Sequence, residues 1–143
     1  MLSKKESALR KHVKQAIASV RDSNLHVSWI ESHSTSIGVP DINYSYYGVE
    51  GWVELKCGPE IEIRAAQKIW MEERIEAGGF PLFLIQYGDT YIIAPGSAAA
   101  SLRAEPHEEN VRRHATALWE GKINPEQFLK VLKNPRKYYN ATY

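Results

Sequence analysis

The chain predicts a single α/β domain in which a mixed sheet is flanked by helices. Three observations carry this. Helical periodicity opens the chain and returns after residue 64. Between those two stretches, residues 52–56 alternate as a strand does. Residues 81–87 then form a continuous apolar run suited to a buried strand. A helix placed between two such strands is a natural crossover to a parallel neighbour. The 143 residues suit one domain with a real core and are too few for two. The expected core covers about residues 1–94, with a helical extension over about 105–143.

In chain order, residues 3–20 read as an amphipathic helix. Leu9, Val13, Ala16, Ile17 and Val20 lie on its apolar stripe, while Lys4, Lys5, Lys11 and Lys14 lie mostly off it. Glu6 stands in line with the stripe and admits two readings. It either points along the core towards a site, or closes a capping box with Ser3. Residues 26–31 form a first strand that runs into Ser32-His33-Ser34-Thr35-Ser36. These side chains suit either a phosphate or a solvated loop. Gly38 permits an unusual backbone angle and Pro40 fixes the approach to Asp41.

Residues 39–44 and 52–56 are the next strands, joined by a hairpin connection over 47–51. Period-two alternation puts Trp52, Glu54 and Lys56 on one face and Val53 and Leu55 on the other. Antiparallel pairing would bring Asp41 to Glu54, with Lys56 beside them. Cys57-Gly58-Pro59 ends the strand. The second helix spans about 64–77, with Gln67, Trp70, Met71 and Arg74 on one face, and Gly78-Gly79 stops it. After the strand at 81–87, a shorter partner is expected at 91–94. Residues 95–106 read as loop or a short turn, followed by helices over 108–119 and 125–132. The end of the chain interleaves Arg136 and Lys137 with tyrosines, suiting nucleic acid, a second subunit or disorder.

Charge is unevenly distributed. Residues 1–21 carry +5, residues 122–143 carry +4 and the middle carries −8, for a net +1. Basic ends around an acidic centre suit phosphate contacts beside a carboxylate site, although solvated helix faces give the same pattern. No apolar run approaches a membrane span, and no secretory leader is expected, which fits a cytoplasmic protein. The lone Cys57 excludes a disulfide framework, and it more naturally packs at a strand end than serves as a nucleophile. His107-Glu108-Glu109 followed by His114 lacks the spacing of a zinc protease and reads as helix surface. The four tryptophans suit core or interface anchoring better than base stacking.

Two acids and a lysine on one sheet suit phosphodiester hydrolysis. One or two carboxylates hold Mg²⁺ while leaving positions for water and phosphate oxygens. Asp41 and Glu54 are the candidate side-chain ligands, with the backbone carbonyl of Leu55 a third. Lys56 is placed to orient the attacking water or stabilise developing charge.

Gly38-Val39-Pro40-Asp41, Glu54-Leu55-Lys56 and Gln67 in the following helix together resemble the PD-(D/E)XK nuclease superfamily, of restriction-endonuclease-like fold. Trp52-Val-Glu-Leu-Lys56, Gln67-x-x-Trp70 and Gly78-Gly79 are closest to its VRR-NUC and Holliday-junction-resolvase-like branch. The likeness covers roughly residues 1–94. It implies Mg²⁺ or Mn²⁺ at Asp41 and Glu54, catalysis by Lys56, support of the site or DNA contact by Gln67, and a helix-1 glutamate at Glu6. An arginine common before the Gly-x-Pro-Asp turn is replaced here by the Ser/His/Thr run. The resemblance also implies a metal-dependent deoxyribonuclease acting on branched DNA as a homodimer, of bacterial or phage type and without an organic cofactor. Lys4, Lys5, Lys11, His33, Ser34, Ser36, Arg136 and Lys137 are the candidate DNA contacts. The alternatives are a flap or end-processing nuclease of the same fold, or a DNA-binding protein whose acids and lysine form an ion-pair network.

Overall fold

The structure is a computed structural model, describing residues 3–31 and 37–140. Six strands form one mixed sheet in the order β1-β2-β3-β4-β5-β6. The elements are α1 (Lys4–Val20), β1 (Leu25–Trp29), β2 (Ile42–Tyr46), β3 (Val49–Cys57), α2 (Ala65–Glu76), β4 (Leu82–Tyr87), β5 (Thr90–Pro95), α3 (Ala99–Ala104), α4 (Glu108–Arg113), β6 (Ala117–Glu120) and α5 (Pro125–Lys133). Short 3₁₀ turns occupy Gly96–Ala98 and Pro135–Tyr139. Among the described residues only the β3–β4 pairing is parallel, with α2 as the crossover. The architecture is therefore the predicted α/β one. Among the described residues no helix is long and apolar enough to cross a membrane.

Each face of the sheet has its own core. On one face, Leu9 and Val13 of α1 and Phe128, Leu129 and Leu132 of α5 pack on Ile42, Tyr44, Val53, Leu84 and Ile93. On the other, Met71 of α2, Leu102 of α3 and Val111 of α4 pack on Phe83, Ile85 and Ile92. The strictly buried run from Leu82 to Ile85 follows from this double cover, because strands buried on both faces lose their polar alternation.

Local chemistry sets the boundaries. Ser3 caps α1: its hydroxyl accepts from the Glu6 amide at 3.1 Å, and a Glu6 carboxylate oxygen accepts from the Ser3 amide at 3.3 Å. The β2–β3 hairpin is tighter than expected. Tyr47 (φ 51°) and Gly48 (φ 80°) alone make the turn, and a positive φ at both positions matches the twist of the flanking strands. Gly38 (φ 79°) is buried against α2; a Cβ there would lie 2.4 Å from the Ala66 carbonyl oxygen.

The C-terminal third corrects two expectations. Residues 95–106 are a 3₁₀ turn and the helix α3 rather than loop. The helix expected over 108–119 stops at Arg113, and β6 follows, so the extension after residue 105 is not purely helical. The Thr116 amide donates to the Ile93 carbonyl at 2.8 Å, and Ala117 to Glu120 then pair with β5. An open sheet edge outcompetes the helical spacing of Val111, Ala115, Leu118 and Trp119, since edge amides need partners. The basic-aromatic tail docks on the fold through residue 140. The Tyr139 hydroxyl donates to the Pro81 carbonyl and accepts from the Gly96 amide, and its ring meets Phe80 edge-on.

Candidate active site

The hairpin register determines where the acids meet. Ile42 pairs with Val53, so the residue before β2 lies beside the residue after Val53. The Asp41 amide accordingly donates to Glu54 Oε1 at 3.2 Å. Asp41 Oδ2 accepts from the Leu55 amide at 2.9 Å, just past the point where β2 stops pairing. The N–H and C=O of one strand residue point to the same edge, so the Leu55 carbonyl is directed towards the Asp41 side as well. The Ile30 amide bonds the Asp41 carbonyl at 2.8 Å, tying the turn to the end of β1.

The crossover helix supplies the other half. Trp52, Glu54 and Lys56 face α2, as the alternation predicted. Gln67, in the first turn of α2, makes three bonds there. Its Nε2 donates to Glu54 Oε2 at 2.9 Å, and its Oε1 accepts from Lys56 Nζ and from the Arg64 amide, both at 2.9 Å. Lys56 Nζ also lies 3.4 Å from Glu54 Oε2. These bonds leave the Gln67 amide only one orientation, with oxygen towards the ammonium and nitrogen towards the carboxylate. Glu54 and Gln67 are both 5% exposed, so this geometry is held inside the protein.

A partner absent from the sequence expectations completes the site. Arg10 of α1, only 6% exposed, reaches Asp41 Oδ1 at 3.2 Å and the Ile30 carbonyl at 3.2 Å through Nη2, and Glu31 at 3.4 Å through Nη1. Its guanidinium lies 5.1 Å from the centre of the Trp29 ring. A cation therefore does stand beside the Gly-x-Pro-Asp turn, delivered by α1 instead of by the preceding loop. Arg10 lies three residues before Val13 on the apolar stripe. A lone arginine in that stripe was the available signal.

Electrostatics favour a cation here. Burial first, and then the neighbouring Asp41 carboxylate, push Glu54 up to about 8, and Lys56 only partly offsets this. Two carboxylates sharing one dry place hold a proton in the absence of a metal, and a divalent ion would relieve both causes. Among the described residues no group of three or more His, Cys, Asp or Glu side chains converges. Two carboxylates and a strand carbonyl are the oxygen atoms that could serve as donors, a set that would suit a hard cation keeping several waters. Oxygen donors without thiolate or imidazole do not separate Mg²⁺ from Mn²⁺.

The site opens into a cleft of about 700 Å³, bordered by Asp41, Glu54, Lys56 and Gln67, with Lys5 and Glu6 on its rim. Glu6 is exposed and engaged in its capping box, so it reaches the rim without bonding the acid pair. Cys57 packs beside the Lys5 carbonyl at 3.6 Å, and burial pushes its thiol up to about 11, away from thiolate chemistry. Lys4, Lys5 and Lys11 are exposed on α1, and Arg136 and Lys137 on the turn after α5. His33, Ser34 and Ser36 lie outside the described residues. Glu108 and Glu109 pair along α4 with Arg112 and Arg113 at 2.9 Å each, as a helix surface does.

Fold and site together define an α/β domain carrying a carboxylate pair, a lysine and a glutamine where a central hairpin meets its crossover helix. No family model matches the chain, and no curated protein matches it. Among solved structures it is similar to Hjc of Archaeoglobus fulgidus, a Holliday junction resolvase from an archaeal hyperthermophile. That similarity has 11% identity and a TM-score of 0.46, covering 62% of this chain and 77% of the other.

Proposed function

We propose that the chain is a metal-dependent DNA endonuclease of the PD-(D/E)XK type, acting on branched DNA as a pair of copies. One observation carries the reading: Gln67 binds Glu54 and Lys56 at once, while Asp41 closes on Glu54 from the neighbouring strand. A surface ion pair would have no need of a buried glutamine or of two acids crowded together.

Asp41, Glu54 and the Leu55 carbonyl would hold Mg²⁺ or Mn²⁺, which would lower the pKa of a bound water and neutralise charge on the phosphate. Lys56 presents its ammonium to the cleft from beside Glu54, where it can orient the attacking water and stabilise charge as the phosphorus–oxygen bond breaks. Gln67 positions both groups. Arg10 fixes the Asp41 carboxylate from the α1 side. Lys4, Lys5 and Lys11, with Arg136 and Lys137, would supply the non-specific phosphate attraction. The Trp52–Trp70 pair and the Gly78–Gly79 turn support a VRR-NUC-like, bacterial or phage assignment. A cytoplasmic setting fits that origin.

Two copies related by a two-fold axis would present two sites, suited to paired cuts at a four-way junction. The test is cleavage of a labelled four-way junction beside a flap and a matched duplex, with Mg²⁺, with Mn²⁺ and with EDTA. Paired nicks in the junction alone, abolished by EDTA and by Asp41→Asn, are expected. Metal-dependent cutting of flaps or ends instead would keep the nuclease and discard the resolvase. Salt-sensitive binding without cutting would make this a DNA-binding protein.

A further inference from the structure

Residues 60–64 contribute an alternating segment to one wall of the cleft. Ile61 and Ile63 are 3% and 4% exposed and sit in the core with Met71, Phe83 and Ile85. Glu60, Glu62 and Arg64 are exposed and line the cleft. The segment is fastened from behind: the Ile61 amide donates to the Pro106 carbonyl at 3.3 Å, and the Gly58 amide to the Gln86 carbonyl at 2.7 Å. The wall therefore presents two carboxylates and then, beside Gln67, a guanidinium.

Arg64 breaks a local rule. It occupies the N-cap position of α2, where Ser, Thr, Asp or Asn would accept from a free helix amide. Its side chain makes no capping bond, and a guanidinium meets the positive end of the helix dipole unfavourably. Only half of a capping box is present, with the Arg64 amide donating to Gln67 Oε1 at 2.9 Å. A residue that weakens a helix start in this way serves something other than folding.

The other cations around the acid pair are committed. Lys56 donates to Gln67 and stands 3.4 Å from Glu54, Arg10 holds Asp41, and Lys5 donates to the Gly58 carbonyl at 3.4 Å. Arg64 forms no ion pair among the described residues. From Asp22 to Ile37 the sequence offers no lysine or arginine, so the loop before the Gly-x-Pro-Asp turn brings no cation of its own. The bond to Gln67 holds the Arg64 backbone beside the acid pair while its side-chain donors stay open. A planar fork of donors matches two non-bridging oxygens of one phosphate.

We infer that Arg64 grips a backbone phosphate of the DNA strand in the cleft, and that Glu60 and Glu62 bar the backbone from running on along the same wall. The inference rests on the nuclease reading and deepens it. An uninterrupted duplex carries its phosphates straight on past the cut and meets both carboxylates, a like-charge contact. A strand that turns away at a branch clears them.

The test is binding of a labelled four-way junction and a matched duplex, read by fluorescence anisotropy in Mg²⁺ over a range of salt. All variants carry Asp41→Asn so that the DNA stays intact. Arg64→Ser should bind the junction roughly tenfold more weakly, with a salt slope shallower by about one. In circular dichroism melts the same variant should be more stable than its parent, because serine restores the cap. Loss of binding through misfolding cannot accompany a higher melting temperature. Arg64→Lys keeps the charge but loses the fork, and should fall between. Glu60→Gln with Glu62→Gln should strengthen duplex binding several-fold more than junction binding. An Arg64→Ser variant with unchanged affinity and slope overturns the grip, and one that melts below its parent shows that Arg64 serves the fold. Equal gains on both DNAs overturn the part given to Glu60 and Glu62. Binding is read apart from cleavage, which is measured with Asp41 intact. A chain that binds through Arg64 but cuts nothing rejects the nuclease, whereas one that cuts equally well with Arg64→Ser rejects only this inference.

Discussion

Glu54 couples the stability of the protein to its metal site. Burial, and then the Asp41 carboxylate, push its carboxyl up to about 8 from the ordinary 4.5. Between those values the folded chain keeps a proton that the unfolded chain has released. Stability therefore falls as pH rises through that window and levels off above it. A divalent ion competes with the same proton, so its binding strengthens over the same range. The melting-temperature rise on adding Mn²⁺ should accordingly be larger at about pH 8.5 than at about pH 5. Glu54→Gln should flatten both trends. Equal metal-induced shifts at the two pH values, or an unchanged slope in the variant, would show that Glu54 is not the coupled group. Asp41, Glu54, Lys56 and Gln67 were legible from the chain because period-two alternation and a short hairpin leave few arrangements. Arg10 was not, since its partner Asp41 lies 31 residues away and the one local hint, an arginine within an apolar stripe, does not say what it meets.

At the level of elements, the turn before β2 and the start of α2 act as one unit. Gly38 combines a φ of 79° with a backbone approach to Ala66 that leaves no room for a Cβ. That contact sits one residue from Gln67 and three from Asp41, so it sets the distance between the two halves of the site. Gly38→Ala should lower stability by about 2 kcal/mol, from left-handed strain and the displaced contact, as urea denaturation would measure. It should also reduce cleavage beyond what that loss explains, because the Gln67 and Asp41 bonds separate. A variant with wild-type stability and rate would mean that the turn moves freely. The strands around this contact were readable because each carries its own burial pattern. Strand β6 was not, for its four residues take their identity from the open edge of β5.

On the scale of the whole molecule, the chain after residue 104 is part of the core and not an appendage to a complete 1–94 domain. Trp119 of β6 and Phe128, Leu129, Val131 and Leu132 of α5 are all at most 8% exposed and share one cluster with α1 and the hairpin. His12 of α1 stacks on Tyr91 at 4.7 Å and accepts the Ile123 amide at 3.3 Å, so α1 itself rests on this segment. Fully burying one such side chain is worth about 1.5–3 kcal/mol, and five together rival the ~5–15 kcal/mol that holds a domain folded. A chain ending at residue 104 should therefore fail to fold, showing neither the cooperative melt nor the dispersed amide spectrum expected of the full chain. Because α1 would lose the surface that holds it, Arg10 would leave Asp41, and the truncated chain should show no saturable Mn²⁺ binding. A truncated chain that melted cooperatively and bound Mn²⁺ with full-length affinity would locate the stabilising core within the first five strands. The burial of Phe128 and its neighbours against α1 argues for the opposite outcome, with the site assembled only when both ends of the chain close on the same face of the sheet.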